Sequence, residues 1–157
     1  MLIEQPPIPY RMLFPETVWR IPMKHKAVFL TFDDGPIPEV TPWVLDLLDH
    51  YGIKATFFCV GDNVRKHPDL YRQVVEAGHR VGNHTFNHIG GFKHSISEYN
   101  NNADMANELL NTNLFRPPHG WMRWDQYAWL RRKYKVVMWD LVTRDYSKWM
   151  TAEDVVN

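Results

Sequence analysis

Two histidines, His84 and His88, stand four residues apart between Gly82 and the pair Gly90-Gly91. A four-residue spacing places two imidazoles on one side of a helical turn, which is a common way of presenting two ligands to a metal ion. The flanking glycines indicate a tight turn rather than a long helix. The alternative for this pair taken alone is two surface or capping histidines.

Two adjacent carboxylates, Asp33 and Asp34, precede Gly35-Pro36. Neighbouring side chains of a regular strand point to opposite faces, but a strand that ends in Gly-Pro can turn both carboxylates toward one site. The pair then suggests one metal ligand and one base, whereas the alternative is an ordinary acidic turn. Two histidines and one aspartate would leave an open position on a Zn²⁺-like ion, as catalytic sites do.

The polar residues that could do chemistry follow four of the predicted strands. They are Asp33 and Asp34 after the first, His84 and His88 after the third, Arg116 after the fourth, and Asp140 and Asp145 after the fifth. Functional groups of α/β folds collect at the carboxyl ends of the strands. We therefore expect these side chains to share one edge of a sheet.

The elements that must position these residues alternate between strand and helix. Strands are predicted at Ala27–Phe32, Lys54–Val60, His79–Val81, Leu114–Arg116 and Tyr134–Trp139, and helices at Val40–Tyr51, Asn63–Ala77, Ser95–Leu110 and Trp124–Arg132. This alternation favours the α/β class, with a parallel sheet or barrel.

The length of 157 residues is short for a complete eight-stranded barrel, which needs about 250. Either the barrel is smaller or the sequence stops before the fold does, and an apparent helix start at Thr151–Asp154 favours the second. Residues 1–25 show no clear period and are predicted to be an extended leader packed on the surface. Residues 26–157 are predicted to form one domain whose C-terminal part is absent.

The composition argues against several classes of protein. Lysine plus arginine equals aspartate plus glutamate, at 18 each, so the basic field of a nucleic-acid-binding protein is missing. The single cysteine, Cys59, cannot form an internal disulfide and is predicted to be a small apolar residue in a buried strand. No apolar run approaches the roughly 18 residues of a membrane span, and no signal peptide is visible, which favours a cytoplasmic location. The oligomeric state is not specified by these features.

Four segments, in order, resemble the signature motifs of the polysaccharide deacetylases, the carbohydrate esterases of family four. They are Thr31-Phe32-Asp33-Asp34-Gly35-Pro36, His84-Thr85-Phe86-Asn87-His88, Arg116-Pro117-Pro118-His119-Gly120-Trp121 and Trp139-Asp140-Leu141-Val142-Thr143-Arg144-Asp145-Tyr146. The first two are highly specific together. The resemblance implies a distorted, incomplete parallel (β/α) barrel.

The resemblance also implies a role for each matching residue. Asp33 would be the catalytic base, held by an ion pair with Arg116, and Asp145 would orient a catalytic histidine. Asp34, His84 and His88 would bind a divalent metal, which we expect to be zinc. Oxyanion and substrate binding would fall to Pro118, to the backbone N–H of His119 or a near neighbour, and to Trp139 as an apolar wall.

The activity implied is metal-assisted hydrolysis of acetyl groups on N-acetylated or O-acetylated carbohydrate, by attack of a metal-bound water. Three departures from the family pattern stand out. His119 replaces an aromatic residue and Tyr146 replaces a tryptophan, and the Leu-x-His motif on a late strand, which carries the general acid, is absent. We expect that motif beyond Asn157. The alternative function is a catalytically inactive module that binds carbohydrate or metal, although such a module would need neither Asp33 nor Arg116.

Overall fold

One parallel sheet dominates the computed structural model, which describes residues 5–143, 148–149, 151 and 153. The described strands are β1 (Thr31–Asp33), β2 (Thr56–Cys59), β3 (Arg80–Asn83), β4 (Leu114–Phe115) and β5 (Lys135–Val136). They lie in the order β1-β2-β3-β4-β5, and each pairs in parallel with the next. The register sets Asp33 beside Phe58, Cys59 beside Asn83, and Asn83 beside Phe115. The residues that follow β1, β3 and β4 therefore emerge at one edge.

Helix α1 (Ile8–Met12) precedes the sheet, and the other described helices connect its successive strands. These are α2 (Thr41–His50), α3 (Gly61–Lys66), α4 (Pro68–Glu76), α5 (Ile96–Leu110) and α6 (Trp124–Leu130), with 3₁₀ turns at Gly91–Lys93 and Pro118–Gly120. Parallel neighbours require such crossovers. The predicted α/β class is confirmed.

Two apolar cores flank α5. One joins α2, β2, α3 and α4 through residues such as Phe57 and Val74, and includes Ala106 and Leu110 of α5. The other joins β4, β5 and α6 through Phe115, Val136 and Leu130, and includes Tyr99 and Ala103 of α5. Helix α5 therefore ties together the two halves of the sheet whose strand ends carry the polar residues.

The first strand is shorter than the sequence suggested. The run Ala27–Phe32 was predicted to be a buried strand, but β1 begins only at Thr31, and Val28 and Phe29 are 84% and 54% exposed. An apolar strand is buried only where other helices or strands pack against it. Within the described residues β1 pairs with β2 alone, so its other edge is uncovered.

Two further boundaries differ from the prediction. The single helix predicted at Asn63–Ala77 is two helices, α3 and α4, which meet at His67 (φ −129°, ψ 59°). Pro68 causes the break, because proline disfavours the helical conformation of the residue before it. The strand predicted at Tyr134–Trp139 contracts to Lys135–Val136, and Val137 forms only an isolated bridge with Val18.

The N-terminal segment is not simply extended. It contains α1, which begins after Pro7, and Phe14 is buried in the second core. Prolines are tolerated in the first turn of a helix, so they did not exclude one here. Val18 donates to the Val136 carbonyl at 2.9 Å and accepts from Met138 at 2.9 Å, which prolongs the sheet beyond β5. The boundary between residues 25 and 26 stays a prediction.

Cys59 lies on β2 with 1% of its surface exposed, as predicted for a buried apolar residue. Burial raises the pKa of its thiol to about 12, so the thiolate that a nucleophile requires is not formed near neutral pH.

No described helix is long and apolar enough to cross a membrane.

A capping box begins α5. The Ser95 hydroxyl accepts from the Glu98 N–H, and the Glu98 carboxylate accepts from the Ser95 N–H at 2.8 Å. Ser95→Ala should therefore destabilise the protein by about 1 kcal/mol, measured by urea unfolding. Ser97→Ala, which changes an exposed serine of the same helix outside the box, is the matched control. Equal effects of the two changes would show that the cap does not stabilise α5.

Candidate metal and catalytic site

The two aspartates lie where β1 ends and the chain turns. Asp33 is the last residue of β1, and Asp34 adopts a left-handed conformation (φ 69°). Two contacts hold this turn: Val60 donates to the Gly35 carbonyl at 2.9 Å, and the Asn63 side-chain amide donates to the Asp34 carbonyl at 2.7 Å. The turn directs both carboxylates to the carboxyl edge of the sheet, as the sequence predicted.

The histidine segment after β3 is not a helical turn. Thr85 and His88 have positive φ values of 63° and 54°. Two residues in the left-handed conformation, rather than a helical turn, therefore bring the two imidazoles to the same side. Gly61 and Asp62, at the start of α3, donate to the carbonyls of Thr85 and Phe86 at 3.0 and 2.9 Å. The prediction of a tight turn was correct, whereas the helical geometry was wrong.

Asp34, His84 and His88 converge on one point. Asp34 Oδ1 lies 3.0 Å from His88 Nε2 and 3.4 Å from His84 Nε2. One potential ligand atom from each residue lies within 4.8 Å of the others. One carboxylate oxygen and two imidazole nitrogens form the donor set of three-ligand zinc sites, so these residues fit a divalent cation.

A hydrogen bond on the side of the ring away from Asp34 fixes the orientation of His84. Its ring is 2% exposed, and Nδ1 lies 2.7 Å from the Arg116 carbonyl oxygen. An Nδ1–H that donates to this carbonyl directs Nε2 toward Asp34, the arrangement found behind metal-bound histidines. Hydrogen bonds from His84 and then His88 hold the pKa of Asp34 well below its usual range. The bond to Asp34 raises the pKa of His88.

Asp33 is joined to Arg116 rather than to the histidines. Arg116 Nη1 lies 2.7 Å from Asp33 Oδ1. The guanidinium is 3% exposed and also donates to Thr31 Oγ1 and to the carbonyls of Val137 and Met138. These contacts fix its orientation, so its position determines that of the Asp33 carboxylate.

The segment Pro118–Gly120 faces the histidines. The rings of His119 and His88 are 4.7 Å apart and nearly perpendicular. His119 has φ 61°, and the N–H groups of Gly120 and Trp121 donate to the carbonyls of Pro117 and Pro118 at 3.0 and 3.3 Å. Burial lowers the pKa of His119, and His88 and His84 lower it further.

Trp139 packs onto Gly120 so closely that a side-chain carbon there would collide with the indole ring. Its ring also lies 6.0 Å from the Arg116 guanidinium carbon. The structure therefore brings together eight of the residues selected from the sequence: Asp33, Asp34, His84, His88, Arg116, Pro118, His119 and Trp139.

Asp145 lies outside the described residues, and so does most of the helix predicted from Thr151. Asp140, which also follows β5, turns to the N-terminal segment. It pairs with Arg11 at 3.0 Å and with Arg20 Nε at 2.8 Å. These arginines lower the pKa of its carboxyl, Arg20 most strongly. Asp140 therefore anchors the leader to the end of β5.

Three supporting residues were not identified from the sequence. Asn63 holds the Asp34 turn, Thr31 contacts Arg116, and Phe58 places its ring 4.1 Å from the guanidinium carbon. Thr31 could have been selected because it stands two residues before Asp33 on the same face of a strand. Nothing in the local sequence of Asn63 or Phe58 marks a contact that only the parallel register creates.

Comparison with known proteins supports the resemblance seen in the motifs. The family model described as polysaccharide deacetylase matches residues 20–137. The chain is 36% identical over 143 residues to a peptidoglycan-N-acetylglucosamine deacetylase of Bacillus cereus, a match that covers 87% of this chain and 52% of the relative. It is also 51% identical over 63 residues to a chitooligosaccharide deacetylase of Rhizobium leguminosarum bv. trifolii, a match that covers 40% of this chain and 29% of that relative.

A solved structure is similar over nearly the whole chain. The crystal structure of the Bc1960 peptidoglycan N-acetylglucosamine deacetylase superposes with a TM-score of 0.88 at 32% identity, covering 97% of this chain and 73% of that one. The predicted fold, a distorted, incomplete parallel (β/α) barrel, is confirmed by this similarity. The chain spans about half the length of the Bacillus cereus relative (52%).

Proposed function

Because the chain belongs to the polysaccharide deacetylase family, we propose that it removes acetyl groups from N-acetylated, or O-acetylated, carbohydrate by metal-dependent hydrolysis. One observation carries the proposal. The metal-binding set Asp34, His84 and His88 lies beside a separate carboxylate, Asp33, which is paired with buried Arg116. A module that only bound metal or sugar would not need the second carboxylate or its arginine.

We assign the metal ligands to Asp34, His84 and His88, and zinc is the cation that suits this donor set best. When bound, the cation would polarise the acetyl carbonyl and lower the pKa of a water ligand to about 7. Asp34 is held ionised by its histidine neighbours, so it would supply a full negative charge to the cation at neutral pH.

Asp33 acts as the base. Its Oδ1 is held at 2.7 Å by Arg116 Nη1, which leaves the other carboxylate oxygen to accept a proton from the attacking water. Arg116 acts on the reaction through Asp33, because the guanidinium orients the carboxylate.

The oxyanion that develops on the acetyl carbonyl requires a hydrogen-bond donor. We assign this donor to the backbone N–H of His119, since the N–H groups of Gly120 and Trp121 are already bonded to the carbonyls of Pro117 and Pro118. Trp139, which packs against Gly120, provides the apolar wall of the acetyl pocket. Asp145 keeps its proposed role as the residue that orients a catalytic histidine.

The substrate we propose is a carbohydrate that contains N-acetylglucosamine. The relatives support this choice, because their names specify peptidoglycan N-acetylglucosamine and chitooligosaccharide as substrates.

Acetate release from chitooligosaccharide, acetylxylan and peptidoglycan tests the proposal. We expect release from at least one N-acetylated substrate, its loss on treatment with a chelator, and its recovery on addition of Zn²⁺. Release that is insensitive to the chelator would refute the metal dependence. Binding of the sugars without any acetate release would favour the inactive module instead.

A further inference from the structure

One hydroxyl of the N-terminal segment reaches the turn that carries the proposed oxyanion donor. Tyr10 lies in α1, and its hydroxyl donates to the Gly120 carbonyl at 3.0 Å. Tyr10 also precedes residues 20–137, the range that the family model matches. The contact therefore joins a residue outside the matched range to the proposed reaction centre, and the chemistry described above makes no use of it.

Three aromatic rings fix the position of the Tyr10 side chain. The rings of Phe14, Trp19 and Trp121 each pack edge-on against it, with centroids between 5.1 and 5.7 Å from its own. Burial raises the pKa of Tyr10 to about 12, so the hydroxyl keeps its proton near neutral pH. The hydroxyl is therefore a hydrogen-bond donor with a defined position.

The turn that accepts this bond has a backbone that depends on outside contacts. His119 and Gly120 follow one another with positive φ values of 61° and 73°, and residues with a side chain, such as His119, rarely adopt this conformation. Such residues persist where the surrounding structure holds them in place. The Tyr10 bond to Gly120 is one such contact, and the Trp139 ring packed onto Gly120 is another.

Two peptide units connect the Tyr10 hydroxyl to the His119 N–H. The Gly120 carbonyl, which accepts from Tyr10, belongs to the same peptide unit as the Trp121 N–H. That N–H donates to the Pro118 carbonyl at 3.3 Å, and the Pro118 carbonyl belongs to the same peptide unit as the His119 N–H. Because a peptide unit is planar, a bond that fixes its carbonyl also fixes the direction of its N–H.

The same series of bonds strengthens the final donor. Hydrogen bonds in a chain polarise one another, so a peptide unit whose carbonyl accepts a bond becomes a better donor at its N–H. The Trp121 N–H bond to the Pro118 carbonyl is long, at 3.3 Å, and therefore weak by itself. The bond from Tyr10 to the peptide unit that contains this N–H is the contact that strengthens it.

We propose that Tyr10 is a positioning residue for the hydrolysis, which orients and polarises the His119 N–H through the Gly120–Trp121 and Pro118–His119 peptide units. This inference rests on the proposed function, in which that N–H stabilises the oxyanion. The negative charge on the acetyl oxygen develops only as the transition state forms. The Tyr10 hydroxyl should therefore affect turnover and leave the binding of substrate unchanged.

The Tyr10→Phe variant tests the inference, because it removes the hydroxyl and keeps the aromatic ring. We expect kcat for acetate release from chitotetraose, assayed with added Zn²⁺, to fall about tenfold, less than the roughly hundred- to thousandfold loss on removal of an oxyanion donor itself. KM should stay at the wild-type value, since the lost interaction is made only in the transition state. An unchanged kcat, with or without a rise in KM, would overturn the inference.

The matched control is Tyr71→Phe. Tyr71 is also a half-buried tyrosine whose hydroxyl donates to a backbone carbonyl, that of Leu110, at 3.3 Å. It packs against the core that contains Phe57, whereas Tyr10 packs against the core that contains Phe14. Tyr71→Phe should leave kcat and KM unchanged. An equal fall of kcat in the two variants would identify a general effect of losing a tyrosine hydroxyl and would overturn the inference.

Nuclear magnetic resonance of the ¹⁵N-labelled protein separates this inference from the proposed function. In Tyr10→Phe the amide protons of Trp121 and His119 should shift upfield, because each N–H is less polarised, whereas Tyr71→Phe should leave both at their wild-type positions. These shifts in a protein whose wild type releases no acetate would support the positioning by Tyr10 and refute the hydrolysis alone. Unchanged amide shifts in Tyr10→Phe would overturn the inference whether or not the wild type releases acetate.

Discussion

Replacing Asp33 with asparagine should reduce kcat/KM for acetate release by about a hundred- to ten-thousandfold, the usual contribution of a general base, while the protein keeps its metal. The amide oxygen of asparagine can still accept the hydrogen bond from Arg116 Nη1, which lies at 2.7 Å. The amide cannot accept a proton from water. The change therefore removes the base and leaves the packing around it nearly intact.

The measurement pairs kinetics with metal content determined by atomic absorption. Asp104→Asn is the control, because Asp104 is a carboxylate of comparable exposure, 40% against 32% for Asp33, that is also paired with a cation, Lys133. It should leave activity and metal content unchanged. Loss of the metal together with activity in Asp33→Asn would make Asp33 a ligand and would contradict the assignment of roles within the aspartate pair.

Replacing His88 with alanine should abolish both metal binding and acetate release. Removing an outer-shell partner of a ligand already weakens metal affinity by about 10–100-fold, and the loss of a ligand itself should exceed that. His88 suits the test better than His84, because its side chain is 31% exposed whereas that of His84 is 2% exposed and bonded to the Arg116 carbonyl. The protein should therefore still fold.

Competition between Zn²⁺ and a fluorescent chelator measures the affinity, and the thermal unfolding midpoint of the metal-free protein checks the fold. His50→Ala, at the exposed end of α2, is the matched histidine control and should bind metal as wild type does. A zinc affinity of His88→Ala equal to that of wild type would remove His88 from the ligand set and leave too few protein ligands for the proposed site.

The candidate metal-binding and catalytic residues could be selected from the sequence because each carries a local signal. Asp33 and Asp34 precede Gly35-Pro36, and His84 and His88 share a short spacing between glycines. The spacing was nevertheless interpreted with the wrong geometry. Positive φ values at Thr85 and His88 depend on contacts with the start of α3, and a spacing rule contains no information about such contacts.

The ends of the helices and strands could likewise be predicted only where local contacts determine them. The capping residues of α5 are neighbours in sequence, so its start was located within one residue. The length of β1 depends on what covers Val28 and Phe29, and these side chains are exposed because β1 pairs on one side only among the described residues. The alternation of apolar and polar residues cannot specify a partner strand.

The sequence alone determined which residues can do chemistry, the alternation of strands and helices, and hence the α/β class. Each of these depends on neighbours along the chain. The tertiary structure alone decided which residues meet: Arg116 reaches Asp33 across 83 positions, and Tyr10 reaches Gly120 across 110. Parallel strands in register bring such distant segments to one edge, and that register is fixed by core packing and backbone hydrogen bonds across the whole sheet.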